Sequence, residues 1–184
     1  MDAKTLMLAA GISLPRASLW ALPLTASMTL YDIVTPKRQA CYIAQAGHES
    51  MRFSRVREIW NPRQVPAQAR YEGRADLGNT QPGDGMRFMG RGLIQITGRD
   101  NYTKASKALG VDFVRNPQLL ERDDYAAMVS AWWWHEHGCN EIADIGDFLA
   151  LSIEINGKNP ETGLPNGWVD RQELWTTAKA ALAA

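Results

Sequence analysis

"TPKRQACYIAQAGHES", residues 35–50, begins as a helix should and ends as a buried helix should not. Thr35 is a favoured N-cap residue, and Pro36 stands at the first helical position, where its missing N–H is no loss. Ala40, Ile43, Ala44 and Gly47 then recur three and four apart, so one face is small and apolar. Such a face lets the helix pack closely, and it carries His48 and Glu49 to the C-terminal end. A carboxylate buried in apolar surroundings is costly unless it is paired or takes up a proton. General-acid catalysis at neutral pH needs a carboxyl group that keeps its proton inside a cleft, which makes Glu49 a candidate for that work. The plainer alternative is a structural glutamate paired with Arg52, Arg55 or Arg57.

Upstream lies "MDAKTLMLAAGISLPRASLWALPLTASMTLYDI", apolar enough over residues 6–14 to suggest a leader peptide. Asp2 leaves its start with no net positive charge, and Pro15, Arg16 and Pro23 interrupt the run before membrane length. The expectation is two short core helices, no export signal, and synthesis in a bacterial cytoplasm. Downstream, residues 61–92 hold three prolines and six glycines with no apolar period long enough for a helix. An ordered loop of that length is usually functional, and its end, "GMRFMGRG", admits one short hairpin. A short apolar run, "LIQIT", leads into a helix that Gly110 closes. The rest reads as helices: "NPQLLERDDYAAMVSAWWWHEHG", "DIGDFLALSIEING" and an Ala-rich end beginning "GWVDRQELW". The fold class expected is mainly α, one domain with a small irregular Gly-rich lobe.

At 184 residues the chain can bury a sizeable core, and its 20 basic and 20 acidic side chains cancel. That balance is unlike a nucleic-acid binder, although a local patch around Arg87, Arg91 and Arg99 stands out. Two cysteines, Cys41 and Cys139, make no disulfide framework and read as buried free thiols. A metal is not expected: Arg52 stands three after Glu49, where a zinc-protease helix needs a histidine, and His135 and His137 point to different faces. No cofactor is implied.

If Glu49 is an acid in glycoside hydrolysis, a second carboxylate must activate water or trap the oxocarbenium-like centre. Glu58 in "REIWNP" and Glu72 in "RYEGRADLG" both lie where the chain has left the helix, and either could face Glu49 across a cleft. In "GRGLIQITGRDNY", Gly90 and Gly92 permit close approach, while Gln95, Thr97, Asn101 and Tyr102 offer neutral hydrogen-bonding groups of the kind sugars use. No Gly-Lys-Ser/Thr follows these glycines, which excludes a P-loop. Trp132, Trp133 and Trp134 cannot share a helix face; at least one belongs to the core, and another is a candidate stacking platform at the cleft.

Together, "AQAGHES" (44–50), "DLGNTQPGDGMRFMGRGLIQITGRDNY" (76–102), "SIEINGKNPETGLPNG" (152–167) and "VDRQELW" (169–175) resemble glycoside hydrolase family 19, and within it the bacteriophage and prophage endolysins. The likeness runs from Thr35 to Trp175. It implies a lysozyme-like, two-lobed helical domain that cuts β-1,4 bonds between aminosugars of peptidoglycan, with chitin as the alternative substrate and a non-catalytic glycan binder as the rival class. By resemblance Glu49 is the general acid, Glu58 the base, with Glu72 as the alternate, and Thr97 holds the water. His48, Gln95, Asn101, Tyr102, Asn156 and Arg171 fall on substrate-site positions, with Tyr71 and Arg74 on the cleft wall and Arg171 beside the second carboxylate. The resemblance further implies a monomer without a separate wall-binding domain, acting on the wall from the periplasm after a membrane-permeabilising partner releases it.

Overall fold

The computed structural model describes residues 1–183. The chain opens with α1 (Ala3–Ala10) and α2 (Leu14–Leu30), then α3 (Pro36–Glu49). Two single turns, α4 (Pro66–Ala69) and α5 (Asp84–Arg87), punctuate the irregular stretch before α6 (Arg99–Leu109). The remainder is α7 (Asp123–Glu136), α8 (Cys139–Ile145), α9 (Phe148–Asn156) and α10 (Trp168–Leu182). The mainly helical, lysozyme-like class expected from the sequence is the class observed.

The helix that decides the fold forms as its sequence dictates. The Thr35 hydroxyl accepts the Arg38 N–H at 3.2 Å, Pro36 occupies the first turn, and residues 40–47 are all buried. Its principal partner is α10, whose Leu174 and Ala178 face it. Trp20 and Leu24 of α2, Tyr42 of α3, Trp134 of α7 and Phe148 of α9 fill the same core. A second, smaller core gathers Phe88, Ile96, Tyr102, Phe113, Leu120, Val129 and Trp132 beneath the irregular lobe. Helix α7 serves both, which explains the tryptophan triplet. Trp132 points into the small core and Trp134 into the large one, while Trp133 lies between them and stacks on His137 at 3.7 Å.

Three local expectations are corrected. Pro23 does not end the second helix: α2 runs seventeen residues through it, because burial of Trp20, Leu24 and Met28 on one face offsets the backbone bond that Pro23 cannot donate. The hairpin expected at "GMRFMGRG" reduces to isolated antiparallel bridges, Arg57 with Arg91 and Arg91 with Ile96. The segment after Asn116 is not one helix, because a 3-10 turn over Pro117–Glu121 is separated from α7 by the extended backbone of Arg122. No single helix among the described residues is long and apolar enough to cross a membrane.

Candidate active site

Glu49 closes α3, and its partners come from far along the chain. The fully buried Arg171 of α10 donates one guanidinium nitrogen to Glu49 Oε1 and another to Gln45 Oε1, one helical turn back on α3. Its Nε donates to the Asn166 carbonyl at 3.0 Å. Gln45 passes the chain on, donating to Ser152 Oγ of α9 at 2.7 Å, and Asn156 Oδ1 accepts the Asn166 N–H at 2.8 Å. Every polar atom of this buried wire is satisfied, as such a network must be in a low dielectric. With Oε1 occupied as an acceptor, a proton on Glu49 belongs on Oε2, the oxygen free to donate. The arginine expected beside the second carboxylate therefore stands on the first. Asn156 joins this side of the site through the Asn166 backbone.

His48 is turned the other way. Its Nδ1 meets Asp170 Oδ2 at 2.5 Å, and a side chain on Gly167 would overlap its ring, so the imidazole is wedged against the start of α10. Asp170 also takes both guanidinium nitrogens of Arg52, at 2.6 and 3.1 Å. Those bonds, ahead of the His48 contact, hold the Asp170 carboxyl down to about 2. Its place in "VDRQELW", next to Arg171, was the only hint of its role.

Between Glu49 and Glu58 the chain makes a turn that nothing in its composition announces. Met51, Arg52 and Phe53 all have left-handed backbones, with φ of 51°, 59° and 58°. A non-glycine residue there costs roughly 1 to 2 kcal/mol, so the turn must be over-determined by its surroundings. It is: Ser50 Oγ accepts the Phe53 N–H at 2.9 Å, Trp20 Nε1 donates to the Phe53 carbonyl at 3.0 Å, and Asp170 anchors Arg52. The Phe53 ring is buried in the large core. This turn aims the chain from the helical lobe into the irregular one.

Glu58 sits in that lobe on extended backbone. Its Oε1 accepts from Gln68 Nε2 at 2.8 Å and its Oε2 from the Gly90 N–H at 3.2 Å, while its own N–H donates to the Gly90 carbonyl at 2.9 Å. Tyr71 lies near Glu58: burial first, then the Glu58 carboxylate, pushes the Tyr71 phenol upward. A Cβ on Gly90 would lie 2.8 Å from Gln95 Oε1 and 3.4 Å from Glu58 Oε2, so only a glycine lets these two side chains converge. Gln95, itself left-handed at φ 59°, donates to the Gly92 carbonyl at 2.9 Å. Thr97 Oγ1 donates to the Gln95 carbonyl at 3.0 Å and keeps its lone pairs to accept from water. Asn101 steadies Thr97 by donating to its carbonyl at 2.8 Å. Glu58 lines a cavity of about 500 Å³ with Arg55, Arg57, Trp60 and Met86.

Other expected members lie elsewhere. Glu72 spends both oxygens on backbone, accepting from the Gly83 N–H at 2.6 Å and the Gly85 N–H at 2.8 Å, so it anchors a loop. Arg74 pairs with Asp76 on the surface. Tyr102 is fully buried; its hydroxyl donates to the Met89 carbonyl at 2.6 Å and accepts from Arg91 at 2.9 Å, which leaves nothing for a substrate. The aromatic side chain at the cavity is Trp60, tilted against Tyr71, and not one of the three on α7. Gln68 was missed: it lies in the single turn α4, outside every quoted motif, and only the fold buries it beneath Glu58. Gln45 was missed too, although its place four residues before Glu49 on the same helical face was a signal that could have found it. Cys41 and Cys139 are free and buried, with burial raising their thiols to about 11 and about 12.

A family model described as Chitinase class I matches residues 32–143. A Haemophilus influenzae protein named as a glycosyl hydrolase family 19 domain-containing protein is 31% identical over 150 residues, covering 67% of this chain and 72% of that one. An Arabidopsis thaliana endochitinase is 32% identical over 140 residues; the match takes in 76% of this chain but 46% of the plant protein. Among solved structures, chitinase C of Streptomyces griseus aligns with a TM-score of 0.73 at 21% identity, over all of this chain and 76% of that one. A bacterial family 19 chitinase aligns at 0.72 and 22% identity, over 99% and 94%. At those identities the structures speak for the fold.

Proposed function

Because the chain belongs to glycoside hydrolase family 19 and is thereby a glycoside hydrolase, we propose that it is an endolysin-type lysozyme that cuts β-1,4 bonds between aminosugars of bacterial peptidoglycan. The carrying observation is that the two carboxylates named by the resemblance are each fixed in place by partners from elsewhere in the fold. Glu49 is gripped through one oxygen by a buried arginine. Glu58 is held by the neutral donors Gln68 and Gly90 N–H at the wall of an open cavity.

In this reading Glu49 Oε2 gives its proton to the bridging oxygen as the bond to the anomeric carbon breaks. Glu58 takes a proton from water steadied by Thr97, and the resulting hydroxide attacks the opposite face, inverting the centre. Gln95 and Asn101 position the sugar, and Trp60 offers an apolar face. Peptidoglycan is favoured over chitin by the resemblance to endolysins and by two buried free thiols, which suit assembly in a reducing compartment. Release to the wall would then need a partner that permeabilises the membrane. Chitin is the second reading, supported by the printed names of the plant relative and the aligned structures.

The test is Glu49→Gln on cells with permeabilised outer membranes. Wild type should clear the suspension, and the variant should lose about 10³-fold or more of that activity while remaining folded at the assay temperature. Mass spectrometry of products from purified peptidoglycan and chitin oligomers separates the two substrates. A variant that lyses at the wild-type rate removes Glu49 from the mechanism.

A further inference from the structure

The neutral whole hides a charged part. Residues 50–98, the stretch between α3 and α6, hold eight arginines, no lysine and four carboxylates, so the rest of the chain is acidic by the same margin. Several of these arginines are committed to the fold. Arg52 is held by Asp170, Arg74 by Asp76 and Arg91 by Glu121, and Arg87 caps the Val114 and Arg115 carbonyls.

Arg55 and Arg57 are different. They lie two apart, and both line the cavity that contains Glu58. The Arg55 guanidinium makes no hydrogen bond or ion pair among the described residues. Arg57 reaches only Glu121, at 3.5 Å, and Glu121 already receives Arg91 Nε at 2.8 Å. Arg55 thus has no partner, and Arg57 shares a carboxylate that Arg91 already holds more closely. Besides Glu58 and Glu121 the remaining wall is apolar, with Trp60 half-buried, and Ile59 and Met86 61% and 56% exposed.

A cavity with apolar side chains in its wall and two guanidinium forks, one unpartnered and one loosely paired, suits a ligand that is part carbohydrate and part carboxylate. Chitin is uncharged and has nothing to offer such a pair. Peptidoglycan has the same aminosugar backbone with peptide stems that bear carboxylates. We infer that Arg55 and Arg57 form a subsite for the stem-peptide carboxylates of peptidoglycan and set the preference for stemmed glycan over neutral aminosugar polymer; this rests on the peptidoglycan reading above.

The experiment compares wild type with Arg55→Gln/Arg57→Gln on three substrates: intact peptidoglycan, the same strands stripped of stems by an amidase with the freed lactyl carboxylates then converted to neutral methylamides, and a chitin hexamer. Wild type should favour stemmed over stripped strands by about tenfold in kcat/KM, through KM. That advantage should shrink as salt rises from about 0.05 to about 0.3 M. In the double variant the two kinds of strand should be cut alike, with the ratio collapsing through a raised KM on stemmed strands and kcat retained. If the double variant keeps the wild-type preference, or the preference ignores salt, the arginine subsite is wrong while the lysozyme reading stands. If wild type cuts the chitin hexamer but neither kind of peptidoglycan strand, the lysozyme reading itself falls and takes the subsite with it.

Discussion

The two carboxylates of the site are held by opposite strategies. Glu49 ends a helix buried on nearly every side, and its grip comes from a side-chain wire, Arg171 to Gln45 to Ser152, drawn from α10, α3 and α9. Glu58 has no regular element beneath it. It is positioned by exchange with the Gly90 backbone and by Gln68, a side chain that also donates to the Ile59 carbonyl and accepts the Asn61 N–H. The helical lobe thus fixes Glu49 by packing, where core rigidity does the aiming. The irregular lobe fixes Glu58 by local polar bonds around a glycine. A cleft can join a part built for stability to one whose loop is shaped for a ligand, provided the link is stiff. Here the link is the left-handed turn at Met51–Phe53, clamped by Trp20, Ser50 and Asp170.

The contrast breaks most sharply in the irregular lobe. Glu58→Gln should lower glycan cleavage by about 10² to 10⁴-fold, the range of a general base. Glu72→Gln should leave the rate near wild type and cost about 1 kcal/mol of stability through its weakened loop bonds. Rates on one substrate, beside denaturant midpoints, decide between them; equal losses of rate would return Glu72 to the chemistry.

On the helical side the larger effect falls on folding. Arg171→Met strands Glu49 and the Gln45 oxygen, and removing one partner of a buried pair costs about 3 kcal/mol or somewhat more. For a chain of this size that is a melting point lower by about 10 °C. Adding Glu49→Gln to Arg171→Met should recover part of the loss, since the carboxyl group left without its partner goes with it. A melting point unmoved by Arg171→Met would show that the wire is not what holds α3 to α10.

The smallest effect sharpens the link. The Asp170 carboxyl is depressed to about 2, chiefly by Arg52, from an unfolded value near 4. A lowered carboxyl contributes stability above its unfolded value, and that contribution drains away as pH falls through the folded one. Asp170→Asn should therefore be less stable than wild type at pH 6, by under about 1 kcal/mol because the side chain is 38% exposed and screened. The gap should narrow below about pH 4 and close by about pH 2. Urea midpoints at a series of pH values measure it, and a gap independent of pH would mean that the Asp170 bonds do not steady the turn.

Elements with a strong local code were legible. Thr35, Pro36 and the small apolar face wrote α3 and placed Glu49 at its end, and Gly110 closed α6 where expected. Pro23 misled, because propensity weighs little against the burial of Trp20 and Leu24. Tyr102 misled for a related reason: a tyrosine in a polar motif looks like a ligand group until the small core shows that its hydroxyl is spent on Met89 and Arg91. The left-handed turn was invisible, since Met, Arg and Phe have no preference for that conformation and adopt it only under outside restraint.

Taken alone, the amino-acid order determined the helices, the small face of α3 and the two acids nine residues apart, because periodicity and capping act over a few residues. Which partner each acid received was decided only by the tertiary structure. Arg171 is 122 residues from Glu49 and reaches it only because α10 packs along α3, while Gln68 and Gly90 reach Glu58 only because the loop folds back on itself. Hydrogen bonds form between groups that packing brings within about 3 Å, and packing is a property of the whole chain.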